Sequence, residues 1–307
     1  MSAPHGSIVR PLARPRYYDA MDLSGLRALV TGANGNVGSV VAARLAREGC
    51  QVRGMVRGAD RWPGGETVRA DLGDRVALTN AARGADLCIN CAAEFSADVE
   101  ACRRSNVDGV VNLVEALLAT DCRLLVHIST ISVYDDAAAP DYDEDSPLWT
   151  GEGDHPYGPS KAESERIIAA AAARGLVAVI LRPALITSMH PRSRWGPQAI
   201  EKAAASPDSI LPFPEIPHVH VDNLAQAVVL ATTPAARGRA YNVVDRAAPG
   251  SEYLAAVYAA AGKAAPAIPP EAPVLRFRAQ RIRDELGYAP IDRWQAFLAE
   301  IRSYRRR

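Results

Sequence analysis

Tyr157 stands four places before Lys161 in HPYGPSKAE, residues 155–163. At helical spacing that puts a phenol and an ammonium on one face, a turn apart. A nearby ammonium favours the phenolate and pulls the phenol pKa down. A tyrosine tuned in this way can donate a proton to a carbonyl, or take one from an alcohol, near neutral pH. Glycine and proline between the two mark a turn, and SKAESERIIAAAAARG (160–175) marks the helix that follows. Pro159 is tolerable in a first helical turn. An ordinary loop-to-helix junction carries the same signature, so the pair needs company.

Two hydroxyls supply some of it. RLLVHIST (123–130) is an apolar run that ends in Ser129 and Thr130. At the tip of a central parallel strand such hydroxyls point into the ligand crevice. A glycine turn supplies more. TGANGNVG (31–38) carries Gly32, Gly35 and Gly38, with Asn34, Asn36 and Val37 between them. It lies between a predicted strand and a predicted helix, where its N–H groups would cradle a pyrophosphate at the helix N-terminus. At the end of the next strand, VRGMVRG brings Arg57 and no carboxylate. A carboxylate there would hold a ribose 2′-hydroxyl, and a guanidinium suits a 2′-phosphate. NADP(H) is therefore favoured and NAD(H) left open; the alternative for Arg57 is stacking on adenine or pointing to solvent. Asp60 lies too far along to serve the ribose, and Asp71 with Leu72 is placed to meet the adenine. Glu94, Phe95 and Ser96, with Arg192, Arg194 and Trp195, are candidates for the substrate wall. The arginines suit an anionic substrate and the tryptophan a flat or sugar ring; surface and packing roles explain them equally well.

The elements that must position these groups alternate along the chain. Strands are expected over 26–32, 51–57, 67–74, 85–93, 123–130 and 177–183. Helices are expected over 36–49, up to Gly84, over 107–120 and over 160–175. That alternation implies a doubly wound parallel sheet with helices on both faces. After Pro183 the rhythm loosens, and 188–217 is rich in Pro, Ser and Arg. A helix is expected at 222–233, a strand at 240–244, and helices near 250–262, 276–286 and 292–304. The expected division is an N-terminal arm (1–21), a dinucleotide-binding domain (22–183, rejoined by 218–245), and a discontinuous cap (184–217 and 246–307).

Composition narrows the function classes. The 307 residues carry 35 Lys+Arg and 35 Asp+Glu, so no charge imbalance argues for nucleic acid or a membrane surface as partner. The arginines near the C-terminus read as a solvated helix face. No apolar run is long enough to span a bilayer, and residues 1–20 lack a secretory apolar core. Five cysteines at irregular spacing fit a reducing cytoplasm, and CINC (88–91) lies in a predicted strand, where buried thiols are expected. His218 and His220 alternate without a third metal ligand. The acidic stretch 135–145 reads as a solvated loop beside the cleft.

Taken in order, the motifs resemble those of the extended short-chain dehydrogenases/reductases, the epimerase/dehydratase-like branch. The resemblance runs over about residues 25–300: TGANGNVG, ADL at 70–72, CAA at 91–93, SNVDGVVNLVEA, STISVY, YGPSK, LRPALI, HVHVDNLAQAVVLA and YNVVD. It implies a Rossmann domain with a smaller C-terminal substrate cap. It makes Tyr157 the general acid/base and Lys161 the residue that holds the nicotinamide ribose and lowers the Tyr157 pKa. Thr130 becomes the hydroxyl that orients substrate, with Ser129 behind it. Asn106 would fix a helix bend and support Lys161. Cys91, Ala92 and Ala93 would border the cofactor, and Pro183 to Ile186 would meet its carboxamide. The resemblance also implies a homodimer through the helices around 107–120 and 157–174. Ile131 and Ser132 stand where dehydratases keep an Asp-Glu pair, and ALITSMHPRSRWG lacks the sugar-nucleotide pattern after strand six. VRGMVRG resembles the NADPH strand of dihydroflavonol-type carbonyl reductases. The leading expectation is an NADP(H)-dependent interconversion of a ketone and a secondary alcohol on a small molecule. The alternatives are a nucleotide-sugar ketoreductase or epimerase, and a non-catalytic nucleotide sensor.

Overall fold

The structure is a computed structural model and describes residues 22–305 except 59–60, 123, 136–139, 152, 154, 207–209 and 211. The arm expected over 1–21 and Asp60 lie outside the described residues. The first half alternates as its apolar periodicity demands. It runs β1 (Arg27–Thr31), α1 (Asn36–Arg47), β2 (Gln51–Val56), β3 (Glu66–Arg69), α2 (Arg75–Ala82) and β4 (Leu87–Asn90). Next come α3 (Val99–Cys102), a six-residue π-helical turn (Arg103–Asp108), α4 (Gly109–Leu118), β5 (Leu124–Ile128), β6 (Asp141–Tyr142), α5 (Tyr157–Ala171) and β7 (Ala178–Pro183). Asp74 and Asp98 cap α2 and α3, accepting the N–H groups of Ala77 and Ala101. The second half adds β8 (Leu185–Thr187), α6 (Pro197–Ala205), β9 (Glu215–His220), α7 (Val221–Ala231), β10 (Ala240–Val243), β11 (Arg246–Pro249), α8 (Gly250–Ala261), β12 (Arg276–Phe277), α9 (Gln280–Leu286) and α10 (Trp294–Ser303).

Seven strands form one parallel sheet in the order β10-β7-β5-β4-β1-β2-β3. The winding reverses between β1 and β4, which opens a crevice at their C-terminal ends. Every residue of β4 and β5 is buried, because helices cover both faces. The strand pleat divides the core. Ala28, Val30 and Ile89 pack with α1 and α7, while Leu29, Cys88 and Leu125 pack with α2, α4 and α5. A third cluster joins Ile200, Tyr253, Val257, Trp294 and Phe297 from α6, α8 and α10. Two small sheets, β11-β9-β8 and β12-β6, complete the fold.

The structure corrects several expectations. Strand three stops at Arg69, so Asp71 and Leu72 lie in the turn beyond it. The stretch 188–217 contains α6, started by Pro197 at its first position, where a missing N–H costs nothing. The helix expected from 276 begins at Gln280, and Arg276–Phe277 pairs with β6 instead. The acidic stretch is not simply solvated: Asp141 pairs with Arg278 and Asp145 with Arg281, both at 2.5 Å.

Candidate active site

A cleft of about 1110 Å³ opens at the C-terminal ends of the parallel strands. Gly32 through Gly38, leaving aside Ala33, border one end with Arg57, Asp71 and Leu72. Cys91, Ala92, Ala93, Pro183 and Ile186 border the middle. No side chain caps the start of α1, so the first-turn N–H groups of Asn36, Val37 and Gly38 are left for a ligand. A Cβ on Gly38 would sit 2.2 Å from the Gly32 carbonyl oxygen, so only glycine permits this turn. These features fit the pyrophosphate of a dinucleotide. At the adenosine end Arg57 and Asp71 face each other at 4.0 Å, both exposed.

Tyr157 opens α5 and lines the cleft with Thr130 and Ser129. Its neighbour Gly158 lets the helix press against the loop after β5, since a Cβ there would lie 2.3 Å from the Ser132 carbonyl oxygen. The expected depression of the phenol by Lys161 is not what this geometry gives. Burial pushes Tyr157 up to about 12, and the opposing influences are the Arg194 charge and a hydrogen bond with Thr130. Lys161 points beneath the cleft floor instead. Its Nζ donates to the Ile128 carbonyl at 2.9 Å and meets His127 Nε2 at 2.9 Å. Burial lowers the ammonium to about 8, against the pull of Glu165.

His127 is the residue that the motifs did not single out. It is fully buried in β5, and burial, then the Lys161 charge, hold it well below the usual histidine range, so it is neutral. Its Nδ1 lies 3.0 Å from the Asn90 amide; Asn90 accepts from the Thr31 hydroxyl at 2.6 Å, which accepts the Ala92 N–H at 3.0 Å. A chain of side chains thus links the ends of β1, β4 and β5 to Lys161. Its signal was legible: two polar residues, Asn90 and His127, inside otherwise apolar runs.

Asn106 makes its bonds elsewhere than to Lys161. It pairs with both backbone groups of Glu94, at 2.8 and 2.9 Å, and donates to Ser160 Oγ at 3.0 Å. It sits in the π-helical turn, and the Ser164 hydroxyl takes its carbonyl. Ser129 faces backwards, donating to Glu165, which forms a buried pair with Arg182 at 2.6 Å. Thr130 is therefore the better placed of the two hydroxyls.

On the substrate side Glu94, Phe95, Arg192, Arg194 and Trp195 line the cleft, and Ser96 does not. The Arg194 guanidinium lies 3.6 Å from the Phe95 ring centre, and that ring lies 4.3 Å from the Tyr157 ring. Ser188, the first residue of SMHPRSRWG (188–196), donates to Asn36 Oδ1 at 2.6 Å and ties this segment to the glycine turn. Cys88 and Cys91 carry free thiols, and burial pushes Cys91 up to about 12, against redox reactivity. Among the described residues no three His, Cys, Asp or Glu side chains gather as a metal site, and no helix is long and apolar enough to cross a membrane.

A model of the NAD dependent epimerase/dehydratase family matches residues 28–244. The chain belongs to that family. It is an oxidoreductase of the NAD(P)-dependent short-chain dehydrogenase/reductase type. The 3-diazoavenalumate denitrifying reductase of a Streptomyces species is 29% identical over 75% of this chain and 79% of its own. The 2-alkyl-3-oxoalkanoate reductase of Stenotrophomonas maltophilia is 30% identical over 56% of this chain and 52% of its own. A short-chain dehydrogenase/reductase superfamily protein from Agrobacterium tumefaciens, solved with NAD, superposes with a TM-score of 0.74 at 24% identity, over 90% of this chain and 96% of that one. At that identity the match speaks for the fold.

Proposed function

We propose that the protein interconverts a ketone and a secondary alcohol on a small molecule, with NADP(H) as its dinucleotide. The observation that carries this is the Tyr157 phenol beside the Thr130 hydroxyl on the wall of a cleft that begins at a glycine turn. The bound nicotinamide supplies or accepts the hydride. In reduction, two electrons and a hydrogen reach the carbonyl carbon while Tyr157 gives its proton to the oxygen. Burial keeps the phenol protonated, which suits that direction. Thr130 holds the carbonyl oxygen by a hydrogen bond as charge develops on it. Lys161 donates one N–H to the Ile128 carbonyl and lies 2.9 Å from His127 Nε2, and a further N–H is free to hold a ribose hydroxyl. Asn106 keeps the Glu94 loop and α5 in register. The cap segments 184–217 and 246–307 choose the substrate. A ketone reductase agrees with the name of the 2-alkyl-3-oxoalkanoate reductase, while the 3-diazoavenalumate denitrifying reductase is named for a diazo substrate.

NADP(H) rests on Arg57 beyond β2, with no carboxylate at the strand end. Asp71 lies 4.0 Å from the guanidinium, and both side chains are exposed. The test is a titration of NADPH against NADH by wild type and Arg57→Glu, followed by a panel of carbonyl compounds with the better cofactor. Wild type is expected to prefer NADPH by about tenfold or more, since a charge-assisted bidentate contact is worth ~1.5–3 kcal/mol, and the variant to lose that preference. Equal affinity in wild type would contradict the assignment.

A further inference from the structure

Arg194 lines the cleft and lies over the Phe95 ring. Arg44, Arg53, Arg166, Arg174, Arg182, Arg278 and Arg281 all meet carboxylates within 3 Å. Among the described residues Arg194 meets none; its partner is the face of Phe95. Partial desolvation in the cleft lowers its pKa, although the residue keeps contact with solvent. Phe95 is itself one of the few large apolar side chains left exposed among the described residues. Stacking fixes the guanidinium plane and leaves its edge N–H groups for a ligand. Arg104 and Arg192 line the same cleft, with Glu94 the one carboxylate at that end.

We propose that the carbonyl substrate carries a carboxylate and that Arg194 holds it, making the substrate a short oxo acid. This rests on the reductase reading above. The Phe95 ring centre lies 3.6 Å from the Arg194 guanidinium and 4.3 Å from the Tyr157 ring centre, which brings an anion on Arg194 and a carbonyl on Tyr157 into one small region. A carboxylate one or two carbons from a ketone fits that region. The planar fork of Arg194 also matches a carboxylate by two parallel hydrogen bonds. Pairing the Arg194 charge removes the field that favours the phenolate, so an anionic substrate keeps Tyr157 protonated for the reduction.

The test uses acetoacetate and levulinate, each against its methyl ester, with NADPH and with NADH. The readout is the ratio of kcat/KM for acid over ester in wild type, Arg194→Gln and Arg194→Lys. Wild type should favour the acid by about 10- to 100-fold for at least one pair, the Gln variant should bring the ratio close to one, and Lys should restore part of it. Equal turnover of acid and ester by wild type overturns the inference and leaves the reductase reading standing. An equal loss for acid and ester in Arg194→Gln also overturns it, because Arg194 then only supports Phe95. Calorimetric binding of acetoacetate to the NADPH-loaded protein separates the remaining case. If no ketone is reduced but acetoacetate binds wild type and not Arg194→Gln, the anion site stands and the reductase reading falls. If acetoacetate binds neither protein, or both alike, the anion site falls.

Discussion

A lysine taken out of water weakens a fold unless its charge is used. Lys161 is fully buried and its ammonium is lowered to about 8 from an ordinary 10.5. Between those values the unfolded chain holds the extra proton, so stability rises with pH across that window and the full penalty applies below it. Lys161→Met should lack this rise. Urea unfolding of both proteins at the two ends of the window is expected to show wild type gaining on the variant as pH increases; a constant difference would mean that Lys161 is not titrating. The same neighbourhood shows how residue roles were legible. Tyr157 and Lys161 announced themselves by spacing, but their expected coupling did not follow, because His127 and the Ile128 carbonyl turn Lys161 downward. Spacing along a helix fixes a shared face, not the partners that other strands bring to it.

At the scale of elements, the glycine turn was legible because backbone geometry alone dictates it. Gly38 meets the Gly32 carbonyl too closely for any side chain, and one substitution tests the turn. Gly38→Ala should push the turn outward and weaken NADPH binding at least about tenfold, or ~1.4 kcal/mol, with helix content retained. Fluorescence titration and circular dichroism read the two effects, and an unchanged affinity would contradict the placement of the pyrophosphate. A helix bend at Asn106 was expected from the family resemblance; that it takes the form of a π-helical turn at Arg103–Asp108 was not legible. Glu94, 12 positions before Asn106, and Ser164, 58 positions after it, satisfy the polar groups of that residue. Nor was α6, whose Pro, Ser and Arg surroundings carry turn signals that Pro197 converts into a helix start.

Across the whole molecule the two halves were unequally readable. The parallel sheet follows from apolar runs and helix periods, which reflect local physics and a buried sheet. The substrate side depends on long-range contacts that no local pattern announces. Ser188 reaches Asn36 across 152 positions, and Arg194 reaches Phe95 from the other side of the cleft. One cavity is lined by the glycine turn, Tyr157, Phe95 and Arg194, which is the basis for the proposed hydride transfer. Single-turnover oxidation of bound NADPH by a carbonyl that the panel identifies, in wild type and Tyr157→Phe, tests that assignment most directly. The account predicts that the variant binds NADPH as wild type does and transfers hydride about 100- to 10,000-fold more slowly, the range expected for loss of a positioned proton donor. Transfer at a rate close to wild type would contradict it.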